Sequence, residues 1–130
     1  GISSGLTYAE GVLFFVDGQS RLHAIAASDG RDIWESPVDL GKWHVHNQVA
    51  VHNGMVIVGP TDASPLPEYD KAVLAIDAAS GQERWRRPLH ERQISDPLII
   101  DDRVFVAVSS GQAMALRLEN GVVLWKATIG

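Results

Sequence analysis

Ala75-Ile76-Asp77-Ala78-Ala79-Ser80-Gly81-Gln82-Glu83-Arg84-Trp85 is the stretch that decides the fold, because the chain contains it three times in weakened form. Ala24 to Trp34 reads A-I-A-A-S-D-G-R-D-I-W, and Ala115 to Trp125 reads A-L-R-L-E-N-G-V-V-L-W. Each copy places an alanine six residues before a glycine and a tryptophan four residues after it. The residue before each glycine (Asp29, Ser80, Asn120) is one that tight turns accept. Apolar runs flank each turn, so each copy reads as strand, hairpin, strand. Self-similarity at a period of about forty residues is the mark of a propeller, a solenoid or a repeat array.

Outward from the motif, each repeat divides into four short strands. In the first, Leu6–Ala9, Val12–Val16, Arg21–Ala26 and Asp32–Ser36 are predicted, with turns at Glu10-Gly11, Asp17–Ser20 and Asp29-Gly30. The second has Gln48–Val51, Met55–Val58, Ala72–Asp77 and Glu83–Arg87, turning at Asn53-Gly54. Pro60 to Tyr69 holds three prolines, cannot continue a ladder and reads as a loop. The third has Pro97–Ile100, Val104–Val108, Ala113–Leu118 and Val122–Thr128. The second strand of each repeat is apolar on both faces, as a strand buried between two layers should be. No stretch of helical length holds a 3.6-residue period, and the predicted class is all-β.

The spacings test the repeat. From the first turn (Gly11, Gly54, Asp102) to the motif glycine is 19, 27 and 19 residues, and from a tryptophan to the next first turn is 20, then 17. These differences predict an eight-residue insertion between the second and third strands of repeat two and a three-residue insertion before its first strand. The repeats are then blade 1 over 1–38, blade 2 over 39–90 with its insertion at 60–70, and blade 3 over 91–130.

Alanine, any residue, Asp or Lys, two residues, Ser or Thr, glycine, three residues and tryptophan resembles the tryptophan-docking motif of pyrroloquinoline-quinone-like (PQQ-like) β-propellers. That family includes quinoprotein alcohol dehydrogenases and non-catalytic outer-membrane assembly scaffolds. Repeat two fits throughout (Ala75, Asp77, Ser80, Gly81, Trp85). Repeat one departs at Ala26 and Asp29, repeat three at Arg117 and Asn120. The resemblance covers essentially the whole chain. It implies four-stranded antiparallel blades in a ring of about eight, of which three are encoded here. It also implies that Ala24, Gly30, Trp34, Ala75, Gly81, Trp85, Ala115, Gly121 and Trp125 dock one blade on the next. Three blades alone leave two apolar faces open. The remaining blades are expected from a longer chain, or else from other copies.

Composition narrows the function. The 130 residues are 45% hydrophobic and 21% charged, with mean hydropathy near zero, which is ordinary globular composition. The longest apolar run, Val12–Val16, is too short to cross a bilayer, and no stretch has the order of a signal peptide. A net charge of −5 without a basic stripe argues against nucleic acid. The cluster Arg84, Arg86, Arg87 reads as a solvated strand face. Without cysteine there is no disulfide, no thiolate catalysis and no Cys-ligated zinc.

Strand alternation sends the connections before first strands and between second and third strands to one face, here the top. Both insertions fall there, and variable loops on a rigid scaffold are where binding concentrates. The candidate binding residues are Trp43, His44, His46, Asp62, Glu68, Tyr69 and Asp70. His44 and His46 alternate onto one side of an extended segment, as two imidazole metal ligands do, with His52 further on. Asp62, Glu68 or Asp70 could supply the third ligand that a metal site needs. The alternative is that these histidines solvate a loop and cap strand ends. Asp29, Asp101 and Asp102 lie in bottom turns, where carboxylates cap amides. No G-x-S-x-G, H-E-x-x-H, phosphate-binding loop or G-x-G-x-x-G occurs.

The expectation is therefore a non-catalytic scaffold or sensing module acting through its top loops on a protein partner. No catalytic residue and no cofactor is evident. The alternatives are part of a PQQ-dependent dehydrogenase, which would use PQQ with calcium, and the sensor propeller of a signalling protein. The quinone enzymes often carry a vicinal cysteine pair, which this chain lacks. The family implies a periplasmic or extracellular setting.

Overall fold

The computed structural model describes residues 4–41, 43, 45, 48–59, 71–91 and 94–128. Among these residues there are twelve strands. β1 (Thr7–Ala9), β2 (Val12–Val16), β3 (Arg21–Ala26) and β4 (Val38–Asp39) form the first sheet. β5 (Ala50–His52), β6 (Met55–Val58), β7 (Ala72–Asp77) and β8 (Glu83–Pro88) form the second. β9 (Leu98–Ile100), β10 (Arg103–Val108), β11 (Gln112–Arg117) and β12 (Val123–Thr128) form the third. Every pairing is antiparallel and between sequence neighbours, so each sheet is a four-stranded meander, a blade.

The blades stack face to face. Phe14, Val16, Leu22 and Ala24 of the first blade share a core with Val56, Val58, Leu74 and Ile76 of the second. Met55, Ile57, Val73 and Ala75, on the second blade's other side, share a core with Val104, Val106, Met114 and Leu116 of the third. Only the middle blade is covered on both sides. All four residues of β6 are buried, whereas β2 and β10 alternate between buried and half-exposed or exposed positions. The short first strands converge on the inner edge, where Thr7 Oγ1 donates to the Val49 carbonyl at 2.7 Å and Gln48 Nε2 to that of Leu6 at 2.9 Å.

One face of the stack is tied three times by the same bond. The residue after the third strand donates its N–H to a carbonyl of the first hairpin: Ala27 to Gly11 at 2.9 Å, Ala78 to Gly54 at 2.8 Å, Leu118 to Asp102 at 2.8 Å. These turns make the bottom face.

The fourth strand of the first blade departs from expectation. It is Val38–Asp39, not Asp32–Ser36, and Asp32 keeps only an isolated bridge to Ile25. Pro37 has no N–H to give a ladder, and the chain loops out around it. Val38, four residues past Trp34, pairs with Leu22, where Arg87, two past Trp85, pairs with Val73. Two of the three residues assigned to an insertion before β5 therefore lie between Trp34 and this outer strand.

Candidate functional site

The motif residues meet at the bottom of each junction. Trp34 Nε1 donates to the Ala78 carbonyl at 2.8 Å, and Trp85 Nε1 donates to that of Leu118 at 2.7 Å. Each indole lies flat over the next blade's glycine. A Cβ at Gly81 would stand 2.9 Å from Trp34 Cδ2, and one at Gly121 would stand 2.4 Å from Trp85 Cε3. Both glycines have φ near +75° to +80°, so they turn the chain and leave room for the ring at once. Ala75 and Ala115 pair directly with Trp85 and Trp125 across β7–β8 and β11–β12, where a small side chain lets the indole lie down. Trp34 and Trp85 are 5% and 9% exposed, but Trp125 is 41% exposed.

The top face is built from connections that hold one another. Asp17 organises the β2–β3 turn. Its Oδ1 accepts the N–H groups of Gln19 and Arg21, and its Oδ2 accepts Arg21 Nε at 3.0 Å and His23 Nε2 at 2.7 Å. An ionised carboxylate only accepts, so His23 carries its proton on Nε2 in this pair. The His23 ring stacks on Phe15, with centroids 4.9 Å apart and planes 6° from parallel. Burial works to raise the Asp17 pKa, but the hydrogen bonds from His23, Arg21 and Gln19 outweigh it and hold the carboxyl well below its ordinary 3.8. In the third blade, Glu91 takes the hydroxyls of Ser109 and Ser110 and the Ser110 N–H, closing the β10–β11 turn.

Trp43, expected among the binding residues, is 4% exposed. Its carbonyl accepts Ser20 Oγ, and Arg86 lies over its ring, 5.5 Å from the centroid. It packs between blades 1 and 2, at the edge of a small cleft that it shares with Asp39, Glu83 and Arg86. His44, His46, Asp62, Glu68, Tyr69 and Asp70 lie outside the described residues. His52 ends β5 on the bottom face, in a cleft of about 400 Å³ with Glu10, Phe14, Ile33 and Asn53. The three arginines are all engaged: Arg84 with Asp77 at 3.7 Å, Arg86 with Glu83 at 2.9 Å, and Arg87, across the junction with the third blade, donating to the Gly121 carbonyl at 2.8 Å. Among the described residues no three His, Asp or Glu side chains converge on a point that could hold a metal.

Sequence reasoning missed a serine clip. Ser4 and Ser95 each pair by backbone and hydroxyl with the end of a second strand, Ser4 with Val16 and Ser95 with Ala107. Both stand three residues before a first strand, a spacing that was available but too short to notice without the pairing.

With three copies of the docking motif in sequence and two junctions formed in the fold, comparison with known proteins becomes specific. The family model described as outer membrane protein assembly factor BamB matches residues 1–130. The chain belongs to that family. BamB of Escherichia coli K12 is 26% identical over 124 residues, which are 94% of this chain and 31% of that protein. The chain thus spans about a third of the length of this curated relative. A second kind of relative is the 1-butanol dehydrogenase (cytochrome c) of Thauera butanivorans, 29% identical over 113 residues, 81% of this chain and 14% of that one. The crystal structure of BamB from Moraxella catarrhalis superposes with a TM-score of 0.81 at 21% identity, over 99% of this chain and 37% of that one. The fold is three blades of a PQQ-like β-propeller. The BamB family and the quinoprotein dehydrogenases share it, and Trp34, Gly81, Trp85 and Gly121 lie in the contacts between blades.

Proposed function

We propose that this chain is a non-catalytic, BamB-like scaffold segment that works in the periplasm and offers its top-face loops to a protein of outer-membrane assembly. The observation that carries this is the family match over the whole chain. The geometry agrees with it: Trp34, Trp85, Gly81 and Gly121 are consumed by blade docking at the bottom, which leaves the top connections around residues 17–20 and 109–111 to meet a partner. No helix among the described residues is long and apolar enough to cross a membrane. Photo-cross-linking residues placed at Gln19 or Ser110 should capture an outer-membrane assembly protein in a Gram-negative cell. The same group at Ser28 or Ser80, in bottom turns, should not. Capture only from the bottom turns, or from neither face, would overturn the reading.

The second reading, part of a PQQ-dependent dehydrogenase, is favoured by the match to the 1-butanol dehydrogenase. The described residues do not fit the group: no acidic or histidine cluster converges to hold calcium, and no cysteine is available to pair. No step through PQQ is therefore derived from them. Dye-linked oxidation of 1-butanol after addition of PQQ and calcium would establish this reading, and its absence from the whole protein would leave the scaffold.

A further inference from the structure

The chain has two Asn-Gly pairs, Asn53-Gly54 and Asn120-Gly121, and both stand in bottom turns. The pair is reactive for a chemical reason. The glycine nitrogen can attack the side-chain carbonyl of the asparagine before it, because no Cβ on the glycine stands in the way. In a folded protein the outcome depends on how firmly the two groups are held.

The fold holds the two pairs differently. Asn120 Oδ1 accepts the Val122 N–H at 3.0 Å, and the Gly121 N–H donates to the Arg117 carbonyl at 2.8 Å. Gly121 is buried, and the Trp85 ring lies so close that a Cβ there would stand 2.4 Å from Cε3. Both reacting groups are tied, and the peptide between them has no room to rotate. Asn53 and Gly54 are exposed, and a Cβ at Gly54 would meet nothing within 4 Å. Among the described residues no hydrogen bond ties the Asn53 amide or the Gly54 N–H. With φ of +49° and +74° the two form the tip of a type I′ hairpin, held on one side by the three-residue β5. Such a tip, with exposed backbone and few buried contacts, opens locally at small cost.

We propose that Asn53 is a site of spontaneous deamidation in the folded protein, and that the docked Trp85 protects Asn120 from the same reaction. The Gly54 nitrogen bonds to Asn53 Cγ, the Cγ–Nδ2 bond breaks, and the displaced nitrogen leaves as ammonia with the Gly54 amide proton. Water then opens the cyclic imide at one carbonyl or the other. One product is an aspartyl residue. The other is an isoaspartyl residue, in which the side-chain carboxyl carries the main chain.

The turn tolerates these products unequally. Glu10, Asn53 and Asp101 hold the same place in the three blades, with φ of +50°, +49° and +55°. An aspartyl residue therefore fits, as Asp101 does, and makes the row of three uniformly acidic. Its charge would face two clefts, one shared with Glu10 and the other with Asp77, Asp102 and Glu119. An isoaspartyl residue lengthens the main chain of a two-residue loop by a methylene. That displaces Gly54, whose carbonyl accepts the Ala78 N–H at 2.8 Å.

The test incubates the full-length protein carrying this chain at mildly alkaline pH, both folded and in urea. Proteolysis and mass spectrometry then follow both asparagines. In the folded protein, conversion at Asn53 should run at least several-fold faster than at Asn120. In urea the two rates should converge, since the dipeptides are the same. Asn53→Asp should keep the parent's thermal midpoint, and the separated isoaspartyl form should melt lower. Equal rates in the folded protein, faster conversion at Asn120, or no conversion at Asn53 while the urea-treated protein converts would overturn the proposal.

Discussion

Gly54, Gly81 and Gly121 share one backbone conformation, with φ of +74°, +79° and +74°, and differ in what lies over them. Nothing is within 4 Å of a Cβ at Gly54, whereas an indole stands under 3 Å from one at Gly81 or Gly121. Gly54→Ala should therefore cost about 1–2 kcal/mol of backbone strain. Gly81→Ala and Gly121→Ala should cost about 1–3 kcal/mol more as the ring is displaced. Urea denaturation of the three variants separates the two effects, and equal losses would show that the tryptophan contact contributes nothing. Asp17 gives a second prediction. Its folded pKa is depressed, so the stability it supplies is complete above the unfolded value of 3.8 and is lost as pH falls below that. Asp17→Asn should lose on the order of 1–2 kcal/mol at pH 7. It should also show a flatter decline below pH 4 than the parent. An unchanged acid limb would mean another carboxylate governs it. No spacing rule joins Asp17 to His23; the β2–β3 hairpin brings them together.

At the scale of the element, the middle strands were legible and the outer ones only partly so. Val12–Val16, Arg21–Ala26, Met55–Val58 and Ala72–Asp77 are where periodicity and turn residues place them, because a strand with two partners has little freedom in its ends. The first blade's outer strand has one partner and a proline, and it slid by two residues. Trp85 belongs to this scale too, since it joins the outer strand β8 to the turn after β11. Trp85→Ala should cost about 3–5 kcal/mol, the range for a buried tryptophan. Trp85→Phe should cost about 1 kcal/mol from the lost bond to Leu118, plus any packing loss. Calorimetry that found the two variants equal would place the whole effect in the hydrogen bond.

For the whole molecule, the informative quantity is the difference in exposure between Trp85 and Trp125, two copies of one residue in one motif. The candidate binding face was only partly readable from sequence. His44 and His46 were picked out by their alternation and the Pro60–Asp70 insertion by the repeat spacing, but whether a loop residue is offered or buried depends on packing that no local pattern records. Trp43 is the clear instance: the same loop position could have presented an indole, and Arg86 from β8 covers it instead.

The sequence by itself determined that the chain is all-β, that it repeats three times, and that alanine, glycine and tryptophan recur together. Those are consequences of short-range chemistry: alternation along a strand, turn residues with positive φ, and a spacing repeated often enough to be seen. Only the tertiary structure decided which tryptophans are buried, which glycines lie under a ring, where the first blade's outer strand runs, and that Asp17 and His23 form a pair. The burial and the ring contacts depend on blades some forty residues apart in the chain, where side-chain size acts across an interface that no window of sequence contains, and the strand path and the Asp17–His23 pair depend on pairing within one blade.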